Sequence, residues 1–146
     1  MRVFVTGSRG FVGARIMDEL GRDAIPAPSL RTVDEEGIRR IVDAAQPDLI
    51  IHTAAVSDIS TCEKDPGESR RANVEIPVWL ARTGVKCVMF STDQVYSGCD
   101  GEGPYSEEET VPSNLYSRHK LEMEQRTLDI NPDTVLLRVI WMYDML

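Results

Sequence analysis

The sequence predicts an α/β fold in which helices alternate with the strands of one parallel sheet. Nearly unbroken apolar runs recur at Val3 to Val5, Asp48 to His52 and Lys86 to Phe90. Such runs are typical of strands buried on both faces. Segments with helical apolar spacing lie between them, and 146 residues suffice for one domain with a sizeable core. We therefore expect a doubly wound sheet that binds its ligand at the carboxyl ends of the strands.

The first of these runs continues into a glycine-rich turn and then a helix. Glycines stand at positions 7, 10 and 13, and an apolar helical pattern then extends to Leu20. Gly7 permits a tight turn, Gly10 lets the backbone approach a pyrophosphate, and Gly13 lets the helix pack close to the strand. This pattern predicts that residues 1–146 form an NAD(P)-binding, Rossmann-like domain. The alternative is a glycine-rich turn that binds nothing.

The remaining chain alternates between strand and helix signals. A short strand is expected around Ala24 and Ile25, and Asp34 is expected to cap a helix that reaches Ala45. Polar residues 57–68 predict a loop, and a helix from about Pro66 to Thr83 is expected to kink at Pro77. Residues 92–112 predict a long loop, residues 113 or 114 a helix cap, and residues 134–140 the last strand.

Bulk properties exclude several classes of function. A net charge of −8 argues against a nucleic-acid or anionic-membrane surface, and no apolar run reaches the length of a membrane span. The three cysteines are odd in number and lack metal-ligand spacing. We therefore expect reduced thiols in a cytoplasmic protein, with no metal site.

A second group of reactive residues lies in the later half of the chain. Tyr116 and Lys120 are four residues apart, so both lie on one face of the predicted helix. A nearby ammonium group lowers the pKa of a phenol, which could then exchange a proton with a carbonyl or alcohol. Thr92 ends the preceding strand, where its hydroxyl could reach a substrate carbonyl oxygen. Without Thr92, an exposed helix face would be the better interpretation of this spacing.

These motifs together resemble the extended short-chain dehydrogenases/reductases. The matches are Thr6-Gly-x-x-Gly-x-x-Gly13, the pair Ala54-Ala55, Ser91-Thr92-Asp93-x-Val95-Tyr96 and Tyr116-x-x-x-Lys120. Within that superfamily the chain resembles the dTDP-4-dehydrorhamnose reductase group of sugar-nucleotide 4-ketoreductases. Gln94 stands where that group usually has an aromatic residue, and an acidic residue is often found near Arg31.

The resemblance implies NAD(P)H-dependent reduction of the 4-keto group of a nucleotide-linked deoxysugar. It implies that Tyr116 donates a proton, Lys120 binds the nicotinamide ribose, Thr92 orients the carbonyl and Asp93 contacts the substrate. The implied cofactor-binding residues are Gly7, Gly10, Phe11, Val12, Gly13, Ala54, Ala55 and Lys120. Arg9 and Arg31 are further candidates because of their charge and position. An epimerase or dehydratase of the same superfamily is one alternative, and a non-catalytic dinucleotide-binding subunit is another.

The residues after the second strand favour NADP(H), with NAD(H) as the alternative. NAD sites usually place an acidic residue there, but the segment from Ile25 to Arg31 has none. Arg9 and Arg31 could instead pair with a 2′-phosphate, unless both are simply solvated. Asp34 lies close by but is assigned to the helix cap.

Family members are roughly twice as long as this chain, so the sequence is expected to lack most of the C-terminal substrate region. We expect either a second copy of the chain or a missing C-terminal segment to cover apolar surface near the last strand. His52 is expected to be a satisfied core histidine and His119 to be solvated. Trp79 and Trp141 are expected in the core.

Overall fold

The computed structural model describes residues 1–143, and its centre is a five-stranded parallel sheet. The strands are β1 (Val3–Thr6), β2 (Ala24–Pro26), β3 (Leu49–His52), β4 (Cys87–Thr92) and β5 (Val135–Val139). They lie in the order β2-β1-β3-β4-β5. The predicted α/β fold with a parallel sheet is therefore confirmed.

Within the described residues, six α-helices flank the strands. They are α1 (Phe11–Leu20), α2 (Glu35–Ala45), α3 (Ile59–Lys64), α4 (Pro66–Arg70), α5 (Ile76–Ala81) and α6 (Leu115–Ile130). The Asp34 side chain accepts a hydrogen bond from the Gly37 amide at 2.8 Å, and Asn114 caps α6 through the Ser117 amide. Both predicted caps are thus confirmed. Within residues 1–143, no helix is both long enough and apolar enough to cross a membrane.

The predicted loop over residues 57–68 was wrong, because it contains α3. Asp58 caps this helix by accepting from the Thr61 amide at 2.7 Å, and Cys62 on its inner side is fully buried. A six-residue helix with one buried side chain has too few turns to show an apolar period.

The helical segment from Pro66 to Ala81 departs from the predicted kink at Pro77. A π-helical turn, Arg71–Glu75, joins α4 to α5, and Pro77 lies in the first turn of α5. Proline has no amide hydrogen to bond four residues back, and the wider π turn ends just before that position. The irregularity therefore precedes the proline and lies beside the candidate site described below.

The main core lies between the sheet and one layer of helices. Buried side chains of α2, α5 and α6 pack there against Phe4, Ile50 and Met89. α1 contacts β1 and β2, and right-handed crossovers place it on the other face. On β5, Leu136 packs on the core, whereas Val135 and Leu137 are 41% and 39% exposed. Trp79 packs on the core as expected, but Trp141 is 91% exposed, contrary to expectation.

The glycine turn brings α1 into backbone contact with the end of β1. Gly7 has φ of +66°, and its carbonyl oxygen accepts a hydrogen bond from the Gly10 amide at 2.8 Å. A Cβ atom at Gly13 would lie 2.1 Å from the Gly7 carbonyl oxygen. No side chain fits between the helix and the turn at that point.

We predict that Gly13→Ala lowers the free energy of unfolding by about 3 kcal/mol, because the added methyl group must push α1 away from the turn. Gly67→Ala is the matched control, since it also lies in a helix and its Cβ would meet only Asp65 Oδ1 at 3.5 Å. The control should change stability by less than about 0.5 kcal/mol. Urea unfolding of the two variants measures both values, and equal stabilities would contradict the packing argument.

Candidate active site

A cavity of about 470 Å³ opens at the carboxyl edge of the sheet, above β1 and β3. These strands are neighbours, but the chain leaves β1 towards β2 and leaves β3 towards β4. Open parallel sheets bind ligands at such a switch point. The lining comes from the segments after β1, β2 and β3, and from Ala72 and Ile76 of the helical segment. Its size is within the range of small-molecule and cofactor sites.

The predicted cofactor-binding residues converge on this cavity, with Lys120 as the exception. Those that line it are Gly7, Arg9, Gly10, Phe11, Val12, Gly13, Arg31, Ala54 and Ala55. They come from three separate loops, which the parallel sheet brings to one edge. Lys120 lies on α6 and belongs to the group of Thr92, Tyr116 and Lys120 described below.

The amino-terminal end of α1 faces the cavity through the glycine turn. Gly10 is the N-cap in an extended conformation, so it provides no side-chain hydrogen bond, and the first turn contains no acidic residue. The free amide groups and the positive end of the helix dipole therefore remain available to an anion. A Cβ atom at Gly7 would lie 2.7 Å from Thr53 Oγ1, so the turn packs directly on the loop after β3. The arrangement fits a diphosphate.

His52 ends β3 beneath the cavity and is 1% exposed. Its Nδ1 shares a hydrogen bond of 2.7 Å with Thr6 Oγ1, while Nε2 has no partner among the described residues. The predicted core position is correct, but the side chain is only half satisfied. Burial, assisted by the positive charge of Lys120, lowers the pKa of His52 to about 3, so the ring is neutral.

Thr92 and Tyr116 meet at the end of β4, farther along the same sheet edge. Thr92 Oγ1 accepts from the Gln94 amide at 3.1 Å and donates to Asp93 Oδ1 at 3.3 Å. Burial raises the pKa of Tyr116 above its ordinary value, and the hydrogen bond with Thr92 partly offsets this. The expectation that a neighbouring lysine lowers the pKa of Tyr116 was wrong, because the loss of solvation outweighs the hydrogen bond with Thr92. Tyr116 is thus neutral at pH 7 and keeps its phenolic proton.

Lys120 is 2% exposed and donates from Nζ to the Phe90 carbonyl oxygen at 2.6 Å. Burial lowers its pKa to about 8, and Glu124 one helical turn away opposes the shift. With a pKa of about 8, the Lys120 ammonium group is mostly charged at pH 7 and loses its proton as the pH rises through 8.

The cavity and the Thr92, Tyr116 and Lys120 group share a wall. Ala72 lines the cavity and belongs to the same buried cluster as Tyr116, Val56 and Cys62. Tyr116 therefore lies beside the part of the cavity that Ala72 lines.

Asn73 fixes that wall. Its side-chain amide accepts from the Val56 amide at 3.1 Å and donates to the Val56 carbonyl oxygen at 2.9 Å. It also reaches Ser69 Oγ at 3.3 Å, and Ser69 bonds His119 Nδ1 at 2.8 Å. The expectation that His119 is solvated was wrong, because α4 packs over it and leaves it 7% exposed.

A buried ion pair between Glu124 and Arg138 links the elements around the Thr92, Tyr116 and Lys120 group. Glu124 is 4% exposed, accepts a short hydrogen bond from the Ser91 hydroxyl, and forms a two-pronged pair with Arg138 at 2.6 and 3.0 Å. Arg138 also donates to the Tyr96 hydroxyl at 2.6 Å and to the Glu107 carbonyl oxygen at 2.7 Å. The pair thus connects β4, β5, α6 and the long loop.

Sequence reasoning missed part of the cavity wall and the polar networks behind it. The missed lining residues are Thr6, Ser8, Ala27, Pro28, Ser29, Leu30, His52, Thr53, Ser57, Ala72 and Ile76. The segment 27–30 follows β2, and its position at a strand end was a usable signal. Glu124 gave no signal, because its partners Ser91 and Arg138 are distant in sequence.

The fold and the cavity define an α/β protein of the dinucleotide-binding type, with a glycine turn at the switch point of a parallel sheet. The family described as the RmlD substrate binding domain matches residues 1–146, and the chain belongs to this family. It is thereby confirmed as a relative of the dTDP-4-dehydrorhamnose reductases.

Individual relatives agree with this assignment. The dTDP-4-dehydrorhamnose reductase of Mycolicibacterium smegmatis is 31% identical, with 97% of this chain and 46% of the relative covered. Methionine adenosyltransferase 2 subunit beta of Danio rerio is also 31% identical, over 94% of this chain and 47% of its own. The crystal structure of dTDP-4-dehydrorhamnose reductase from Bacillus anthracis in complex with NADP superposes with a TM-score of 0.88 at 26% identity, over 97% and 54% of the two chains. The chain spans about half the length of the relatives it matches.

We predict that His52 makes the protein less stable in mild acid. In the unfolded chain the imidazole takes up a proton near pH 6.5, whereas the folded state resists this down to about pH 3. Unfolding therefore binds a proton in this window, and stability falls as the pH drops through it. Between pH 7 and 5 the contribution is about 2 kcal/mol.

Urea unfolding of wild type and His52→Asn at pH 7 and pH 5 isolates this contribution, since both proteins share every other titrating group. The variant should lose about 2 kcal/mol less than wild type between the two pH values. Identical losses would mean that His52 is protonated in the folded state.

Proposed function

We propose that this chain is the cofactor-binding part of an NAD(P)H-dependent reductase acting on the 4-keto group of a nucleotide-linked deoxysugar. The observation that carries the proposal is the shared wall between two sites. A glycine-turn cavity suited to a diphosphate lies directly beside a buried tyrosine, lysine and threonine group. Membership of the reductase-containing family supports the same assignment.

NADP(H) is the proposed cofactor, with NAD(H) as the weaker alternative. Arg9 and Arg31 both line the cavity, and none of the described lining residues is acidic. Asp34, the first acidic residue after the segment from Ile25 to Arg31, is engaged by the Gly37 amide. The relative from Bacillus anthracis was crystallised with NADP, which supports the same preference.

Each polar residue of the second group has a distinct proposed task. NADPH, when bound, supplies a hydride to the carbonyl carbon. Tyr116 gives its phenolic proton to the carbonyl oxygen, which becomes the product hydroxyl. Thr92 gives up its 3.3 Å hydrogen bond to Asp93 and donates instead to this oxygen, which orients it. Lys120 holds the nicotinamide ribose and offsets charge on the deprotonated phenol. Asp93, half-buried beside Thr92, is the proposed substrate contact.

A sugar-nucleotide epimerase or dehydratase would use the same residues but regenerate its cofactor. Net oxidation of added NADPH in the presence of dTDP-4-dehydrorhamnose therefore separates the reductase from both. The name of the Danio rerio relative, a subunit of another enzyme, favours keeping a dinucleotide-binding subunit as the second candidate. In that case NADPH would bind without turnover.

We also propose a cytoplasmic location, which the three free cysteines support. The exposed apolar side chains of β5 support the proposal that a second copy of the chain or a further segment covers this strand.

Tyr116→Phe in the protein that carries this chain should reduce the rate of NADPH oxidation by about 10²–10⁴-fold, because the proton donor is lost. The dissociation constant for NADPH should stay within about twofold, since Tyr116 lies outside the cofactor cavity. Steady-state kinetics and fluorescence titration provide the two values. Tyr143→Phe is the matched control, because Tyr143 is 79% exposed and should behave as wild type. Undiminished turnover in Tyr116→Phe would refute the assigned role.

Replacing both Arg9 and Arg31 by Ala should weaken NADPH binding about tenfold while changing NADH binding less than twofold, because only NADPH carries the 2′-phosphate. Arg40→Ala removes an equally exposed arginine that pairs with Glu36 outside the cavity. Calorimetric titration of both cofactors into each variant measures the effect. A clear preference of wild type for NADH would exclude the proposed phosphate contact.

A further inference from the structure

A β-turn, Leu30 to Val33, contributes Leu30 and Arg31 to the wall of the cavity. The Val33 amide donates to the Leu30 carbonyl oxygen at 3.1 Å, which leaves Arg31 and Thr32 at the corners. The Leu30 side chain is buried, and Val33 packs on the same core. Arg31 lines the cavity from this turn, but its side chain is 67% exposed and its nearest carboxylate, Glu68, is 4.0 Å away. At that distance and exposure the ion pair with Glu68 is weak, so the direction of Arg31 depends mainly on the turn's backbone.

Arg71, in the helical segment, donates two hydrogen bonds to this turn. Its Nε donates to the Arg31 carbonyl oxygen at 2.6 Å, and its Nη2 donates to the Val33 carbonyl oxygen at 2.7 Å. The guanidinium carbon lies 5.2 Å from the centre of the Trp79 ring. Two carbonyl groups on either side of one corner residue are thus held by one rigid cation, which is itself stacked on a partly buried aromatic ring.

We propose that Arg71 is a positioning residue for the 2′-phosphate subsite: it fixes the Leu30–Val33 turn so that Arg31 faces the cavity. The proposal rests on the proposed function, in which NADPH occupies the cavity. Arg71 is not a lining residue, although Ala72 beside it is. Its effect on the phosphate must therefore pass through the turn.

The geometry requires a guanidinium rather than a positive charge alone. The two carbonyl oxygens accept from two different nitrogen atoms of one planar group. A lysine ammonium group is a compact charge that lacks the rigid fork and stacks less well on an aromatic ring. Arg71→Lys therefore separates the clamp from the electrostatic attraction that any cation exerts on a phosphate.

Titrations of NADPH and NADH into wild type, Arg71→Ala and Arg71→Lys test the proposal. Both variants should bind NADPH about five- to tenfold more weakly and NADH within about twofold of wild type, because the displaced Arg31 matters only for the phosphate. Arg70→Ala is the matched control. Arg70 precedes Arg71, makes two hydrogen bonds of 2.8 Å to Glu122 on α6 and does not line the cavity, so its loss should alter neither affinity.

Amide hydrogen exchange, measured without cofactor, tests the clamp itself. In Arg71→Ala the Val33 amide, which donates to the Leu30 carbonyl oxygen, should lose about tenfold in protection, and in Arg70→Ala it should remain as in wild type. Wild-type NADPH affinity in Arg71→Lys, equal weakening of both cofactors, or unchanged exchange in Arg71→Ala would each overturn the proposal. If the wild type prefers NADH, the proposed cofactor is wrong. If the wild type prefers NADPH and Arg71→Ala binds NADPH with the same affinity, only the proposed role of Arg71 is wrong.

Discussion

The contact between Gly7 and Gly13 is the constraint on which the site depends. A Cβ atom at Gly13 would overlap the Gly7 carbonyl oxygen, so α1 can start directly above β1 only because no side chain intervenes. That position brings the free amide groups of α1 to the switch point, where the loops after β2 and β3 complete the cavity. A wider spacing between α1 and the glycine turn would move the positive end of the helix dipole away from an anion bound in the cavity.

Buried polar groups accumulate at the same sheet edge and oppose folding. His52 has one ring nitrogen without a partner among the described residues, and Lys120 carries its charge into the protein interior. Glu124 pairs with the Arg138 guanidinium and accepts a hydrogen bond from the Ser91 hydroxyl, which makes it the best-satisfied of these groups. A structural role alone would favour apolar residues at the first two positions. Both lie at the sheet edge that holds the ligand-sized cavity, where a polar group can serve chemistry at the expense of stability.

The sheet could be predicted from sequence because its signals are local. Unbroken apolar runs marked β3 and β4, and Asp34 and Asn114 are cap residues whose partners lie three positions away. The errors concern contacts across the chain. His119 is buried by Ser69, fifty residues earlier, and the Tyr116 pKa rises because packing removes solvent, which its spacing from Lys120 does not reveal. The Arg71 clamp likewise joins residues about forty positions apart.

The central claim is that a dinucleotide binds with its pyrophosphate on the glycine turn. Amide NMR spectra of the isotope-labelled protein during a titration with NADPH measure this most directly. We expect the largest shifts at Gly10, Phe11 and Val12, at the amino-terminal end of α1, with smaller shifts in residues 53–55. Saturable binding that leaves the amides of residues 7–13 unshifted would contradict the account.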